Sequence, residues 1–126
     1  MTTPLRHEFH SELGTKVNTA ISNALIPARN RFRGAIAQRI QSLAAFRDEL
    51  GRGENPQALS GIVELAHKIA GVAETLGYSE AGRSAAAIDA MASDGAERRL
   101  SPGELWSDLA PLVAALVSEL ERIQAS

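Results

Sequence analysis

Apolar residues recur at helical spacing along most of the chain, and this repetition restricts the fold more than any other feature of the sequence. The clearest example lies between Asn55 and Gly77. At about 100° per residue, one set of apolar side chains there falls within roughly 80° of Ala66 on a helical wheel. The set comprises Leu59, Ile62, Ala66, Ile69, Ala70, Ala73 and Leu76. This stripe predicts an amphipathic helix whose buried face must be covered by other helices.

Two of the later helix starts are marked by a capping residue followed by proline. Asn55 precedes Pro56, and Ser101 precedes Pro102. Proline suits the first helical position because the N–H that it lacks would have no partner there. Glu104 has the spacing from Ser101 that is typical of a capping box. We therefore expect helices to begin at both places.

Pro27 predicts a boundary near the N-terminus. Proline disfavours helical geometry at the residue before it, so a first helix should end near Leu25 and a second should follow. At 126 residues the chain has the size of one domain. We expect this domain to comprise an N-terminal helix at residues 1–26 and a helical bundle at residues 27–126.

Further glycine and proline residues predict where the later helices end or bend. Gly77 should end the helix that begins at Asn55, and a helix over about residues 79–93 should follow until Asp94-Gly95. Pro111 should kink the last helix or split it in two. The pattern predicts five helices and an all-α fold, an antiparallel four-helix bundle with an additional N-terminal helix.

The composition agrees with this fold and excludes several classes of function. The hydrophobic fraction is 44%, with only 4% aromatic residues, and strands favour aromatic and β-branched residues. A net charge of −2 does not indicate a nucleic-acid or acidic-membrane surface. Cysteine is absent, which excludes disulfides and thiol catalysis. No apolar segment approaches the length of about 18 residues that membrane insertion requires, so we expect a cytoplasmic protein.

His67 is the candidate for chemistry on the best-defined helix. It lies about 100° from the centre of the apolar stripe, at its rim, and Gly71 lies one turn further along the same edge. Glycine inside a helix costs about 1 kcal/mol relative to alanine, so its presence indicates that space is needed there. Taken alone, a histidine at a helix rim is more often structural or solvated than functional.

A short motif surrounds this histidine. It consists of His67, Lys68, Ile69, Ala70 and Gly71, followed by Gly77 and Tyr78. The motif resembles the histidine phosphotransfer (HPt) domain, which commonly shows His-x-Leu/Ile-Lys-Gly, then small residues, then glycine and a hydrophobic residue. The chain departs from that pattern at Ala70, where many members carry lysine. Lys68 supplies a cation on another face of the helix.

The resemblance implies a stand-alone phosphocarrier in a bacterial two-component phosphorelay. His67 would take a phosphoryl group from the receiver domain of a hybrid histidine kinase and pass it to the receiver domain of a response regulator. Magnesium would belong to the receivers, and this chain would need no cofactor. We also expect a monomer that binds neither nucleic acid nor membrane. The sequence contains no nucleotide-binding motif, so no autokinase activity is expected.

Asp89 is the candidate partner of the histidine. A helical hairpin through Gly77 would place His67 level with roughly Ile88, and Asp89 has the same angular offset from its own apolar stripe as His67. Both side chains therefore face the shared groove or both turn away from it. If they face it, Asp89 could accept a hydrogen bond from the ring nitrogen that is not phosphorylated. The alternative is a solvated aspartate.

Other polar residues offer weaker candidates. Lys68 and Arg83 could supply positive charge to a phosphate or to a partner, although Lys68 points well away from the core centre and plain solvation explains it. Gly71 and Lys68 join Asp89 as candidate supporting or docking residues. His7 and His10 share a helix face, but no carboxylate or cysteine spacing completes a metal site. No metal is therefore expected.

Two alternative functions use a similar bundle. A histidine-kinase-like dimerisation module also presents histidine on a helix, but its motif has an acidic residue after the histidine and a proline shortly beyond. Lys68 and Gly71 disagree with that pattern. A helical adaptor that binds a signalling protein without being phosphorylated is the second alternative.

Overall fold

The computed structural model describes residues 3–126, with side chains from Thr19 onward. This part of the chain contains helices and no strand, and the predicted all-α fold is confirmed. No helix within it is both long enough and apolar enough to cross a membrane. The helices are α1 (Thr3–Gly51), α2 (Pro56–Ala73), α3 (Ser79–Glu97) and α4 (Pro102–Ala125).

The helix boundary predicted near Leu25 is wrong, because α1 continues through Pro27. The described chain therefore has four helices rather than five. Proline removes the hydrogen bond to the carbonyl of the residue four positions earlier, which is Asn23. Both residues are exposed, so water can satisfy the freed carbonyl and the helix can continue. By its contacts the chain forms two compact units, Met1–Arg31 and Phe32–Ser126.

The core of the second unit, residues 32–126, is formed by one face of each helix. The predicted stripe on α2 is confirmed, with Ala70 half-buried and its other members buried. The largest fully buried side chains are Ile36 and Leu43 of α1, Ile62 and Ile69 of α2, Ile88 of α3, and Leu109, Val113, Leu116 and Leu120 of α4. Because these stripes meet, the polar face of α2 remains on the outside.

A tight turn at Gly77 folds α3 back along α2. Gly77 has φ 92°, a left-handed conformation that glycine adopts without steric cost. The N–H of Tyr78 donates to the carbonyl of Ala73 (2.8 Å), and that of Gly77 donates to the carbonyl of Glu74 (3.1 Å). These two bonds form a Schellman motif. The predicted turn lies at Gly77, although the α-helix itself ends at Ala73.

The two helices of this hairpin approach closely beyond the turn. A Cβ atom added to Gly82 would lie 3.3 Å from the backbone nitrogen of Glu74. Ala81 and Ala85 are buried on the same helix, so small residues line the contact. This close packing fixes the position of α3 relative to α2.

The predicted end of α3 at Asp94-Gly95 is wrong, since the helix continues to Glu97. Gly95 is buried and serves packing, because a Cβ atom there would lie 2.7 Å from Leu105 Cδ1. The left-handed turn residue is Arg99, with φ 55°. The N–H of Leu100 donates to the carbonyl of Gly95 (3.0 Å) and completes the turn.

The capping box predicted for α4 is present. The backbone N–H of Glu104 donates to Ser101 Oγ (3.2 Å), and the N–H of Ser101 donates to Glu104 Oε1 (3.0 Å). The bond from the Ser101 backbone lowers the pKa of Glu104 below its usual value. Pro111 does not split the helix, which continues to Ala125.

The part of α1 from Phe32 onward packs against the α2–α3 hairpin through aromatic contacts. The rings of Phe32 and Tyr78 stack with centroids 5.2 Å apart, and the Arg39 guanidinium lies 5.2 Å from the Phe32 centroid. Phe46 lies over Gly61 of α2 so closely that a Cβ atom there would be 2.5 Å from its ring. The residues of α1 from Phe32 onward therefore cover the side of α2 that carries Gly61.

Candidate functional site

His67 projects from the outer edge of α2. Its neighbours Ala66 and Ile69 are fully buried, so the backbone beneath it is held by the core. The imidazole itself is 74% exposed. A rigid helix thus presents a ring nitrogen to solvent, which is the placement that the sequence predicts.

Asp89 of α3 contacts the imidazole directly. The distance from His67 Nδ1 to Asp89 Oδ2 is 3.1 Å. Of the two arrangements left open by the sequence, the structure therefore has both side chains facing the shared groove. A carboxylate can only accept a hydrogen bond, so Nδ1 carries the proton and donates it. The lone pair of Nε2 is then left for chemistry.

Gly71 lies in open space one turn beyond the histidine. A Cβ atom at this position would meet no atom of the described part of the chain within 4 Å. In this respect Gly71 differs from Gly61 and Gly82, whose missing side chains admit a neighbouring helix. Packing among the described residues therefore does not require glycine at position 71.

A shallow groove runs from the histidine toward the start of α2. Its lining residues are Ser60, Val63, Glu64, His67, Lys68 and Asp89. Within it, Lys68 Nζ lies 3.4 Å from Glu64 Oε1. Ser60, Val63 and Glu64 were missed in the sequence analysis. They could have been identified from their spacing, because residues seven, four and three positions before His67 lie on the same face of the helix as His67.

Other predicted candidates lie apart from this groove. Arg83 pairs with Glu80 (3.0 Å) on α3 and does not line it. The side chains of His7 and His10 fall outside the described residues. Among the residues described, no cluster of histidine and acidic side chains could hold a metal ion.

A comparison with protein families decides the classification. Residues 28–126 match the model of the Hpt domain. The chain belongs to the Hpt domain family. The Hpt match covers most of the chain and includes both His67 and Asp89, and it confirms the resemblance seen in the motif around the histidine. No curated protein and no solved structure matches this Hpt chain.

Proposed function

We propose that this Hpt protein relays a phosphoryl group between receiver-domain aspartates in a multistep phosphorelay, with His67 as the phosphoacceptor. The observation that supports this most directly is the contact between His67 Nδ1 and Asp89 Oδ2, 3.1 Å long, beside a 74% exposed ring. In the neutral imidazole this contact holds the proton on Nδ1, so that the lone pair is on Nε2 of an exposed ring.

The proposed step is a displacement at phosphorus. The Nε2 lone pair attacks the phosphorus of an aspartyl phosphate on the donor receiver, and the P–N bond forms as the P–O bond to the aspartate breaks. The aspartate leaves as a carboxylate, and the phosphorylated ring keeps its Nδ1 proton. The ring thereby gains a positive charge, and no proton has to be removed.

Asp89 has two roles in this step. Its carboxylate holds the imidazole in the tautomer that attacks, and it lies next to the positive charge that develops on the ring. Return of the phosphoryl group to a second receiver reverses the same step. The transferred group is exchanged and no net chemistry is left on the chain, so the protein acts as a carrier rather than an enzyme.

The partners follow from this role. The donor would be the receiver domain of a hybrid histidine kinase and the acceptor that of a response regulator, each supplying its own magnesium. The open edge at Gly71, one turn beyond the histidine, gives a receiver room to dock beside it. We propose that the chain does this as a monomer in the cytoplasm.

Phosphate transfer from purified receivers tests the proposal. The protein is mixed with a panel of phosphorylated receiver domains, and acid-labile phosphate on it is measured together with its thermal melt. We expect the wild type and a His10→Gln control to be labelled, and His67→Gln to melt like the wild type but remain unlabelled. Labelling of His67→Gln would show that another residue is the acceptor. A wild type that no receiver labels would favour the adaptor alternative.

A further inference from the structure

An ion pair lies beside His67 in the same groove. Glu64 is three residues before the histidine and Lys68 is the next residue after it, and their charged atoms are 3.4 Å apart. Both side chains are mostly exposed, at 73% and 65%. Exposed ion pairs contribute little to stability, so Lys68 can leave Glu64 for another anion at small cost.

Around a phosphorylated His67, the groove would contain more negative than positive side chains. Glu64 and Asp89 bring two carboxylates and Lys68 one ammonium. Asp89 is bonded to Nδ1 and faces the positive charge of the phosphorylated ring. Glu64 is instead paired with Lys68, so it competes with the phosphoryl group for that ammonium.

We propose that Glu64 is a positioning residue that sets how readily His67 gives up its phosphoryl group. In the unphosphorylated protein it holds Lys68. Once the phosphoryl group is on Nε2, the Glu64 carboxylate repels it and retains part of the charge that would neutralise it. The inference rests on the proposed phosphotransfer role and concerns the transfer equilibrium.

The two members of the pair should then act in opposite directions. Glu64→Gln removes the repulsion and releases Lys68, so it should raise the equilibrium ratio of phosphorylated to unphosphorylated His67. Lys68→Gln should lower the same ratio. Because Glu64 acts partly through Lys68, its effect should be smaller when Lys68 is already replaced.

The equilibrium constant for phosphate exchange with one receiver measures this effect. It is independent of docking, because tighter docking speeds the forward and reverse steps alike. The experiment uses a receiver that labels the wild type. We expect Glu64→Gln to shift the constant toward the phosphorylated protein by about two- to fourfold, the size usual for exposed charges. The shift should shrink at about 1 M salt, where charges are strongly screened.

Two control variants test whether the effect needs the negative charge of Glu64, and whether loss of any exposed ion pair would have the same effect. Glu64→Asp keeps the carboxylate and should stay near the wild-type constant. Glu80→Gln removes an equivalent exposed carboxylate, paired with Arg83 outside the groove, and should leave the constant unchanged. A Glu64→Gln constant equal to that of the wild type, or matched by Glu80→Gln, would overturn the inference while leaving the phosphocarrier role intact. A wild type that accepts no phosphate overturns the phosphocarrier role itself.

Discussion

At the scale of single residues, the proposed site gives the Asp89 carboxylate two roles toward the His67 imidazole. One is geometric, since accepting the Nδ1 proton fixes the tautomer. The other is electrostatic, since in the proposed step positive charge would develop on the ring, whose Nδ1 lies 3.1 Å from Asp89 Oδ2. Substitutions that keep one function and remove the other can separate them.

Asp89→Asn is expected to lose less activity than Asp89→Ala. Asparagine keeps an oxygen that can accept from Nδ1 but removes the charge, whereas alanine removes both. We expect the alanine variant to transfer phosphate about tenfold more slowly or worse, as for other residues that orient a histidine. Both variants should remain within about 0.5 kcal/mol of the wild-type unfolding free energy, because the site is largely exposed.

The measurement is single-turnover transfer from a receiver, with a thermal melt of each variant. Asp94→Ala serves as a control, because it removes another α3 carboxylate that pairs with Arg98 (3.4 Å) outside the groove. Rates for Asp89→Ala that match those of Asp94→Ala would mean that Asp89 is only a solvated aspartate.

Much of the site follows from the sequence by angular arithmetic along a helix. The rim position of His67 and the shared offset of Asp89 both follow from a fixed rotation per residue. Whether the two side chains face each other depends on which sides of α2 and α3 meet. That depends on the packing between the helices, which includes the close approach of Gly82 to Glu74. The ion pair of Glu64 was missed because a charged pair on an exposed face is usually only solvated.

At the scale of the helix, Gly71 should separate stability from function. Gly71→Ala places a methyl group in open space, so it should stabilise the protein by up to about 1 kcal/mol and affect transfer mildly. Gly71→Gln should also keep the helix, but its longer side chain would project into the approach of a receiver. We expect it to lose most phosphotransfer.

Gly34→Ala is the matched control for this pair. Gly34 also lies in open space within a helix, and its replacement should raise the melting temperature without altering transfer. An early melt of Gly71→Gln would indicate a packing role for the glycine, and wild-type transfer would mean that no partner approaches this edge.

Glycine should be more stable than the natural arginine at position 99, in the turn after α3. Arg99 adopts φ 55°, where a Cβ atom is unfavourable and glycine is not. Arg99→Gly should therefore stabilise the protein by up to about 1 kcal/mol, as measured by chemical denaturation. Arg98→Gly is the control, since φ is −81° there and glycine should give no gain. A loss of stability in Arg99→Gly would mean that the arginine side chain makes a contact that outweighs its backbone strain.

Helix ends could be predicted where the capping residues are close together in the sequence. They could not be predicted where contacts with another helix determine the end. Ser101 and Glu104 lie within one turn, so their capping box can be recognised from the sequence. Gly95 looks like a helix end in the sequence, but its missing side chain accommodates Leu105 from another helix. A non-glycine residue then adopts the left-handed turn, and no local rule predicts that choice.

At the scale of the whole molecule, residues 28–126 should contain what folding and transfer require. Every buried hydrophobic side chain in the described part of the chain lies at Phe32 or beyond, and the family match starts at residue 28. A fragment of residues 28–126 should melt within about 4 °C of the full chain, a shift that corresponds to roughly 1 kcal/mol or less.

The fragment should also accept phosphate from the same receivers at the full-chain rate. Calorimetry and the transfer assay on both chains make the comparison. An unfolded fragment would place part of the stabilising surface before residue 28. A folded fragment with slow transfer would assign the missing residues to receiver docking.

The overall fold class was predictable because several helices repeat the same apolar period. The boundary near Leu25 was not, since proline weakens a helix by a few kcal/mol and the rest of α1 can offset that. Sequence shows the local cost at Pro27, but it does not show that the freed carbonyl of Asn23 can reach water.

The hairpin of α2 and α3 also bears on how fast the site can assemble during folding. His67 and Asp89 are 22 positions apart in the chain, and a single tight turn at Gly77 brings them together. Closing such a short segment costs little chain entropy, and low contact order goes with rapid folding. The bond to the histidine can therefore form as soon as two consecutive helices meet.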